Sequence, residues 1–157
     1  ETIDQIEFAK YLRALSYVDS TRIGVHGWSY GGYLTSLLMT KGADYFKVGV
    51  AVAPVINWRY YDSIYTERYL SLPAENPKGY DDNSPVFFAD KLKGKYLLIH
   101  GLTDDNVHFQ NSAEMVIALV KNKKQFDSFY YPNQAHGISQ SRWHLYEMMT
   151  EYFKKNL

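Results

Sequence analysis

The sequence contains no cysteine, and this absence excludes three kinds of chemistry. Disulfide bonds, thiolate zinc sites and cysteine nucleophiles all require a thiol group. The five histidines do not form a His-Glu-x-x-His pattern, which is the spacing that binds catalytic zinc on a helix. We therefore expect neither a metal nor another cofactor.

Charge of one sign and long apolar runs are also missing. Lysine and arginine together number 17, as do aspartate and glutamate, so the formal net charge is zero. A protein that binds nucleic acid through its phosphates, or one that binds an acidic membrane surface, needs an excess of basic residues. No apolar run approaches the ~18 residues of a membrane-spanning helix. We therefore expect no nucleic-acid partner and no membrane segment in this chain.

The residues that are abundant point to a folded domain with a binding surface. The 157 residues are 46% hydrophobic, which suffices for one domain with a core. Aromatic residues reach 17%, and 15 of them are tyrosine. Because tyrosine combines an apolar ring with a polar tip, this abundance favours a surface where apolar contact and hydrogen bonding coexist.

Hydrophobic patterning predicts four strands that alternate with four helices. The predicted strands are residues 22–26, 47–53, 96–100 and 126–131, and the predicted helices are residues 3–15, 30–41, 108–121 and 141–155. Apolar spacing predicts these inward faces for the first, third and last helices: Phe8, Tyr11, Leu12 and Leu15; Phe109, Ala113, Val116, Ile117 and Val120; Leu145, Met148, Met149 and Tyr152. Continuous apolar strands are buried on both faces, as in parallel sheets. The expected fold is therefore a three-layer α/β domain with a parallel sheet.

The strongest motif is the run Gly-Trp-Ser-Tyr-Gly-Gly at residues 27–32, between a predicted strand and a predicted helix. This is the context of a nucleophile elbow, a turn so tight that its serine takes a strained backbone conformation. Gly27 and Gly31 are expected to be glycine because side chains there would obstruct the turn. Ser29 Oγ would then be exposed, with the Tyr30 N–H directed at an oxyanion. A glycine-rich turn without chemistry is the alternative.

A nucleophilic serine needs a general base, and the base needs an orienting acid. Asp104 and Asp105 follow the third predicted strand, and His136 follows the fourth. All of them fall at carboxyl ends of parallel strands, where ligands bind in open α/β sheets. One aspartate is expected to be the acid and the other to cap the next helix, but their spacing does not distinguish them. His26 and His100, near strand ends, are expected to be partly buried structural residues.

An aromatic-rich stretch follows the second predicted strand. Trp58, Tyr61 and Tyr65 have the spacing i, i+3, i+7, which predicts one shared helical face. That face either packs into the core or forms a pocket wall. The stretch begins beside Ser29, and ligand pockets are mostly apolar with a few polar tips, so both possibilities remain open.

These motifs together resemble a known family. The blocks are Gly-Trp-Ser-Tyr-Gly-Gly-Tyr at 27–33, Ala-Val-Ala-Pro-Val at 51–55, the aromatic run at 58–69, His-Gly with Asp-Asp-Asn-Val-His-Phe at 100–109, and His-Gly-Ile at 136–138. In this order the chain resembles the C-terminal part of the dipeptidyl-peptidase-IV-like prolyl oligopeptidases. These are serine exopeptidases of the α/β-hydrolase fold, and the blocks span nearly the whole sequence.

The resemblance implies a role for each matching residue. Ser29 would be the nucleophile, Asp104 the acid and His136 the base, which resolves the choice between the two aspartates. The Tyr30 N–H would donate to the oxyanion, and Asn106 would bind the carbonyl of the residue before the scissile one. An apolar slot for a proline ring would be formed by Val55, Trp58, Tyr61, Tyr65 and Val107, with Tyr61 also near the substrate's amino end.

The resemblance also implies that residues 1–157 are the C-terminal half of a hydrolase domain. A complete domain of this kind has roughly twice the strands predicted here. The other half would supply the second oxyanion donor, a tyrosine hydroxyl, and a β-propeller would carry the acidic pair that binds the substrate's free amine. Without them the nucleophile strand is an unpaired edge. We expect the isolated chain to be weakly active or inactive and to form a homo-oligomer.

The expected function of the full-length protein is release of X-Pro dipeptides through an acyl-enzyme, from peptides with proline at the second position. The alternatives are a prolyl tripeptidyl peptidase, an acylaminoacyl peptidase, or a non-catalytic interaction domain of the same fold. The lack of cysteine favours a bacterial protein over a disulfide-bearing animal ectodomain. We expect a periplasmic, secreted or cell-surface location.

Overall fold

A sheet of four parallel strands forms the centre of the computed structural model, which describes all residues, 1–157. The strands are β1 (Gly24–Trp28), β2 (Val48–Val52), β3 (Lys95–Gly101) and β4 (Asp127–Tyr131). Their order across the sheet, β1-β2-β3-β4, is their order in the chain. Each connection therefore crosses over the sheet, and the predicted parallel α/β fold is confirmed.

Six α-helices surround the sheet. They are α1 (Thr2–Arg13), α2 (Tyr30–Thr40), α3 (Ser63–Leu70), α4 (Pro77–Asp82), α5 (Gln110–Lys121) and α6 (Arg142–Asn156). Short 3-10 turns occur at Trp58–Tyr60, Pro85–Lys91 and Ser139–Ser141. None of the helices combines the length and the apolar character needed to cross a lipid bilayer.

Alternating strand residues build one apolar core on each face of the sheet. Leu98 of β3 points to the face that carries α1, α2 and α5, where it packs with Leu38 and Met115. Leu97, its neighbour, points to the opposite face and packs with Leu145 of α6. Helix, sheet and helix therefore form three layers, and the inward face predicted for α6 is confirmed.

The prediction that all four strands are buried on both faces holds for β2 but not for β4. Every residue of β2 is buried, whereas Asp127, Ser128 and Phe129 of β4 are exposed. The difference arises because β2 lies between two strands while β4 lies at an edge of the sheet. β1 lies at the other edge, and its residues are half-buried or exposed.

The inward faces predicted for α1 and α5 are only partly confirmed. The predicted residues that are half-buried are Leu12, Leu15, Phe109, Ala113 and Val116. Phe8 and Tyr11 are exposed, and Ala9 is the buried residue of α1. In α5, Ile117 and Val120 are exposed, whereas the buried residues are Asn111, Ser112, Met115 and Leu119. Apolar spacing misses this face because its first turn is polar, and those polar groups are satisfied by a loop and by β3.

Candidate active site

Ser29 lies in the one-residue turn between β1 and α2, and its backbone is strained. Its φ of 59° and ψ of −114° lie outside the regions that non-glycine residues normally occupy. The Ser29 N–H donates to the Val52 carbonyl at 2.8 Å, which ties the turn to the end of β2. A half-buried strand-to-helix serine held in this way has the backbone geometry expected of a nucleophile elbow.

The glycines around Ser29 have different reasons for being glycine. A Cβ at Gly27 would lie 2.2 Å from the Gly31 carbonyl oxygen, so Gly27 is required. A Cβ at Gly31 would meet nothing within 4 Å, contrary to the expectation of an obstruction there. The residue that needs the missing side chain is Gly32, where a Cβ would lie 2.7 Å from the Val52 carbonyl oxygen. Gly32 therefore allows α2 to pass close over β2.

Tyr30 begins α2, and its N–H belongs to the first turn of that helix. Such N–H groups have no acceptor within the helix, and the helix dipole favours negative charge beside them. The Tyr30 N–H is therefore placed to donate to an oxyanion formed next to Ser29.

Asp104 and His136 form a direct pair. Asp104 follows β3, its side chain is buried, and its Oδ2 lies 2.8 Å from Nδ1 of His136. Its Oδ1 accepts from the backbone N–H groups of Asn106 and Val107 at 2.9 and 3.0 Å. Asp104 is therefore both the histidine partner and the residue that closes the turn, so the expectation of one role for each aspartate is wrong. Asp105 is exposed.

The surroundings of Asp104 keep its carboxylate ionised. Burial raises its pKa, but hydrogen bonds from His100, His136 and the Asn106 N–H outweigh burial and hold the pKa well below its usual range. A buried anion at Nδ1 fixes the orientation of the His136 ring and stabilises its protonated form. This electrostatic arrangement suits a general base.

Trp28 connects the serine turn to the histidine loop. Its indole N–H donates to the His136 carbonyl at 2.9 Å, although 108 residues separate the two positions. The strands end side by side, with Trp28 in register with Val52 and Val52 with Ile99. Ser29, Asp104 and His136 thus all follow the carboxyl ends of their strands, on the same side of the sheet, as the sequence predicts.

The aromatic residues come together, but not on one helix as predicted. Trp58 lies in a 3-10 turn, Tyr61 is extended, and Tyr65 belongs to α3. The rings of Trp58 and Tyr65 stack at 6.0 Å, and Tyr61 meets Tyr65 edge-on at 5.4 Å. A bend at Tyr61 separates the 3-10 turn from α3, so ring stacking across the bend replaces a shared helical face.

Some of the predicted slot residues pack into the core, and others are exposed at a cavity. Val55, Trp58 and Val107 are buried in one cluster, whereas Tyr65 is 38% exposed. A cavity of about 380 Å³ lies against Tyr30, Trp58 and Tyr65. Trp58 and the exposed ring of Tyr65 line this cavity, whereas Val55 and Val107 do not line it and pack in the same buried cluster as Trp58. This buried cluster is the rigid apolar floor that supports the lining rings.

Asn106 lies with Tyr61 at a second, separate cavity and is held by Tyr61. The Tyr61 hydroxyl donates to Asn106 Oδ1 at 3.0 Å. Burial, and then Asp62, raise the pKa of Tyr61, so this hydroxyl stays protonated and remains a donor. Because Oδ1 is occupied, the amide N–H groups of Asn106 are left to donate to another group.

Two further residues of the site could not be chosen from the sequence. His100 is fully buried, where the sequence predicts partial burial, and it contacts Asp104. His26 is exposed, contrary to expectation. Asn111 is fully buried and binds the backbone of Ile56. Asn111 belongs to none of the motifs, and His100 begins one of the family blocks without revealing its role. No group of three or more His, Asp or Glu residues could hold a metal ion.

Comparison with known proteins gives the same family over the whole chain. The sequence profile described as "Prolyl oligopeptidase family" matches residues 1–157. Dipeptidyl peptidase 4 of Bos taurus is 45% identical over 160 residues, which cover 99% of this chain and 21% of the relative. Prolyl endopeptidase FAP of Homo sapiens is 44% identical over 159 residues, with 99% and 21% covered.

A solved structure agrees with this assignment. The crystal structure of Porphyromonas gingivalis dipeptidyl peptidase 4 is similar with a TM-score of 0.97 and 44% identity, covering 99% of this chain and 22% of that one. The chain thus spans about a fifth of the length of the relatives it matches. Its sheet and elbow are those of the C-terminal α/β-hydrolase portion of such proteins. With a family profile matching every residue, the chain belongs to the prolyl oligopeptidase family.

Proposed function

We propose that this chain carries the catalytic triad of a serine peptidase that, in the full-length protein, releases X-Pro dipeptides from peptide N-termini. The observation that carries the proposal is the buried Asp104–His136 pair, joined through Trp28 to the strained turn at Ser29. A core without chemistry has no use for a strained serine turn tied to the loop of a paired histidine. The same features count against a non-catalytic interaction domain.

The proposed reaction is two successive acyl transfers. Ser29 Oγ attacks the carbonyl carbon of the scissile bond while His136 Nε2 takes its proton, and Asp104 stabilises the resulting imidazolium. The oxyanion accepts from the Tyr30 N–H. His136 then protonates the leaving amine, which departs as the C–N bond breaks and the Ser29 ester forms. Water repeats these steps on the ester and releases the dipeptide with free Ser29.

The apolar floor and aromatic wall support selection of proline before the scissile bond. Proline lacks an N–H, so an enzyme must select its ring by shape and stacking. In the proposed slot, Val55 and Val107 pack in one buried cluster with Trp58, and the rings of Tyr61 and Tyr65 pack against Trp58. The free amide N–H of Asn106 is available to the carbonyl of the preceding residue.

Covalent labelling tests the proposal. A fluorophosphonate reporter should label the full-length protein at Ser29, and the Ser29→Ala variant should not be labelled. The wild type should also hydrolyse a Gly-Pro-aryl amide. Absence of labelling in the folded wild type would refute the proposal and support an interaction domain.

A second candidate is an endopeptidase that cleaves after internal proline. It is favoured by the relative described as a prolyl endopeptidase, which is 44% identical to this chain. The triad and slot serve both reactions, so a substrate with a blocked amino group separates them. An exopeptidase should hydrolyse Gly-Pro-aryl amide and leave its succinyl derivative intact, whereas an endopeptidase hydrolyses both. Release of tripeptides would instead indicate the tripeptidyl alternative.

A further inference from the structure

His100 is a buried histidine that the proposed reaction does not use. It lies near the end of β3 and is 0% exposed. Its Nδ1 lies 2.7 Å from the Ser112 hydroxyl, and its Nε2 lies 2.7 Å from the Val107 carbonyl. The same Nε2 lies 3.2 Å from Asp104 Oδ2, the oxygen that also binds His136.

These partners determine which nitrogen carries the proton. A carbonyl oxygen can only accept, so Nε2 must be the protonated nitrogen of a neutral ring. The Ser112 hydroxyl can then donate to the bare Nδ1. Both ring nitrogens are satisfied without placing a second buried positive charge beside Asp104. The Nε2 proton is directed at the Val107 carbonyl, and Asp104 Oδ2 receives the longer, secondary contact.

The same contacts tie His100 to both parts of the site. The Val107 N–H donates to Asp104 Oδ1, while the Val107 carbonyl accepts from His100, so both ends of this residue are fixed. The side chain of Val107 is part of the buried floor with Trp58. A movement of the His100 ring would therefore disturb the acid and the floor of the slot together.

We propose that His100 is a positioning residue for Asp104, with Ser112 fixing its tautomer. His100 holds the 104–107 turn so that Oδ1 stays on the backbone N–H groups and Oδ2 faces His136. The inference rests on the proposed function, because Asp104 matters in this way only as the acid of the triad.

Two substitutions that replace His100 with amide side chains of different length test its positioning role in the full-length protein. In His100→Gln the amide nitrogen reaches the position of Nε2 and keeps a donor for Val107. In His100→Asn the shorter amide reaches only the Ser112 side. We expect kcat for a Gly-Pro-aryl amide to fall about 10- to 100-fold in His100→Asn, well short of the ~10⁴-fold loss for a defective acid. The His100→Gln variant should stay within a few-fold of wild type.

The pH profile separates positioning from general destabilisation. If Asp104 turns partly away in His100→Asn, the imidazolium of His136 loses stabilisation, so the acid limb of kcat/KM should move to lower pH. Ser112→Ala, which leaves the Val107 contact possible, should lower kcat by a smaller factor, and folding is checked by the melting temperature. His144→Asn is the matched control, because this histidine of α6 hydrogen-bonds the Tyr131 hydroxyl and not Asp104. It should keep the wild-type kcat and pH profile even where its melting temperature falls.

Three outcomes would overturn the inference. The first is a folded His100→Asn variant with wild-type kcat and pH profile. The second is equal loss in the Gln and Asn variants, which would show that the Nε2 donor is not what matters. The third is a wild type that is neither labelled at Ser29 nor active, and this result alone would remove the proposed function as well.

Discussion

The residue before Ser29 has a role that its position in the motif does not reveal. Trp28 holds the His136 carbonyl through its indole N–H, so the loop with the base is attached to the strand with the nucleophile. The sequence predicts the elbow because glycine spacing and a strand-to-helix transition are local features. It could not predict this bond, which depends on how two distant loops meet.

Trp28→Phe should therefore lower kcat while preserving an aromatic ring beside Ser29. A neutral hydrogen bond contributes about 0.5–1.5 kcal/mol, which corresponds to a roughly two- to tenfold loss. Steady-state kinetics on the full-length protein with a Gly-Pro-aryl amide would measure it. Trp143→Phe, at a side chain that is 85% exposed, is the control. A change in KM alone would argue that Trp28 contacts substrate instead.

The lowered pKa of Asp104 predicts how the free energy of unfolding depends on pH. Its pKa in the folded protein lies well below the unfolded value of ~3.9, so unfolding binds a proton when the pH is between these values. Its contribution is complete above the unfolded pKa and is lost as the pH falls toward the folded pKa. Between pH 5 and pH 2, wild type should lose about 2 kcal/mol more than Asp104→Asn in chemical denaturation. Parallel pH profiles would contradict this.

Among the elements, α5 differs most from its prediction. Its first buried turn carries Asn111 and Ser112, which satisfy partners in the surrounding loops and strand. Hydrophobic periodicity cannot find such a face, because the pattern describes apolar burial and not paired polar burial. The elements themselves could be predicted since strands and helices alternate clearly. Which side of a helix meets the sheet was predictable for α6, where the buried face is apolar.

Asn111 connects the segment that carries Trp58 to the segment that carries Val107, and it should therefore affect selectivity for proline. Its Oδ1 accepts from the Ile56 N–H at 2.9 Å, ahead of Trp58, and its amide donates to the His108 carbonyl, after Val107. Asn111→Leu removes both hydrogen bonds, so the segments that carry Trp58 and Val107 should separate slightly. We expect a higher KM and a severalfold lower preference for Gly-Pro-aryl over Gly-Ala-aryl amide.

The matching control keeps one bond of the two. Asn111→Asp retains an acceptor for Ile56 but loses the amide donor, so its effect should be intermediate. Melting temperatures are measured in parallel, because an unpaired buried N–H costs about 1–3 kcal/mol of stability. A stable Asn111→Leu variant with unchanged selectivity would contradict the prediction.

At the scale of the whole molecule, the outer edge of β1 is the main exposed feature. β1 pairs only with β2, so one side of its backbone carries N–H and C=O groups without a neighbouring strand. Edges of this kind pair with other chains. The isolated 157-residue chain should therefore associate, which light scattering after gel filtration would detect. His26→Lys adds charge at this edge and should reduce association, and a monomeric wild-type chain would contradict the prediction.

The isolated chain should also be a poor enzyme. The family resemblance places the second oxyanion donor outside these residues, and one such donor is worth about 10²–10³ in rate. Gly-Pro-aryl amide hydrolysis by the isolated chain should fall by at least this factor relative to the full-length protein. Turnover at the full-length rate would show that residues 1–157 contain everything the reaction needs.

The outer edge of β1 also suggests a use for a protein divided at that strand. Ser29, Asp104 and His136 all lie on one side of it, while the family resemblance places the second oxyanion donor on the other. An enzyme divided there would yield two silent pieces, and strand pairing along β1 would restore the rate when they are brought together. Fused to two proteins that bind each other, the pieces would report that encounter as the release of a dye.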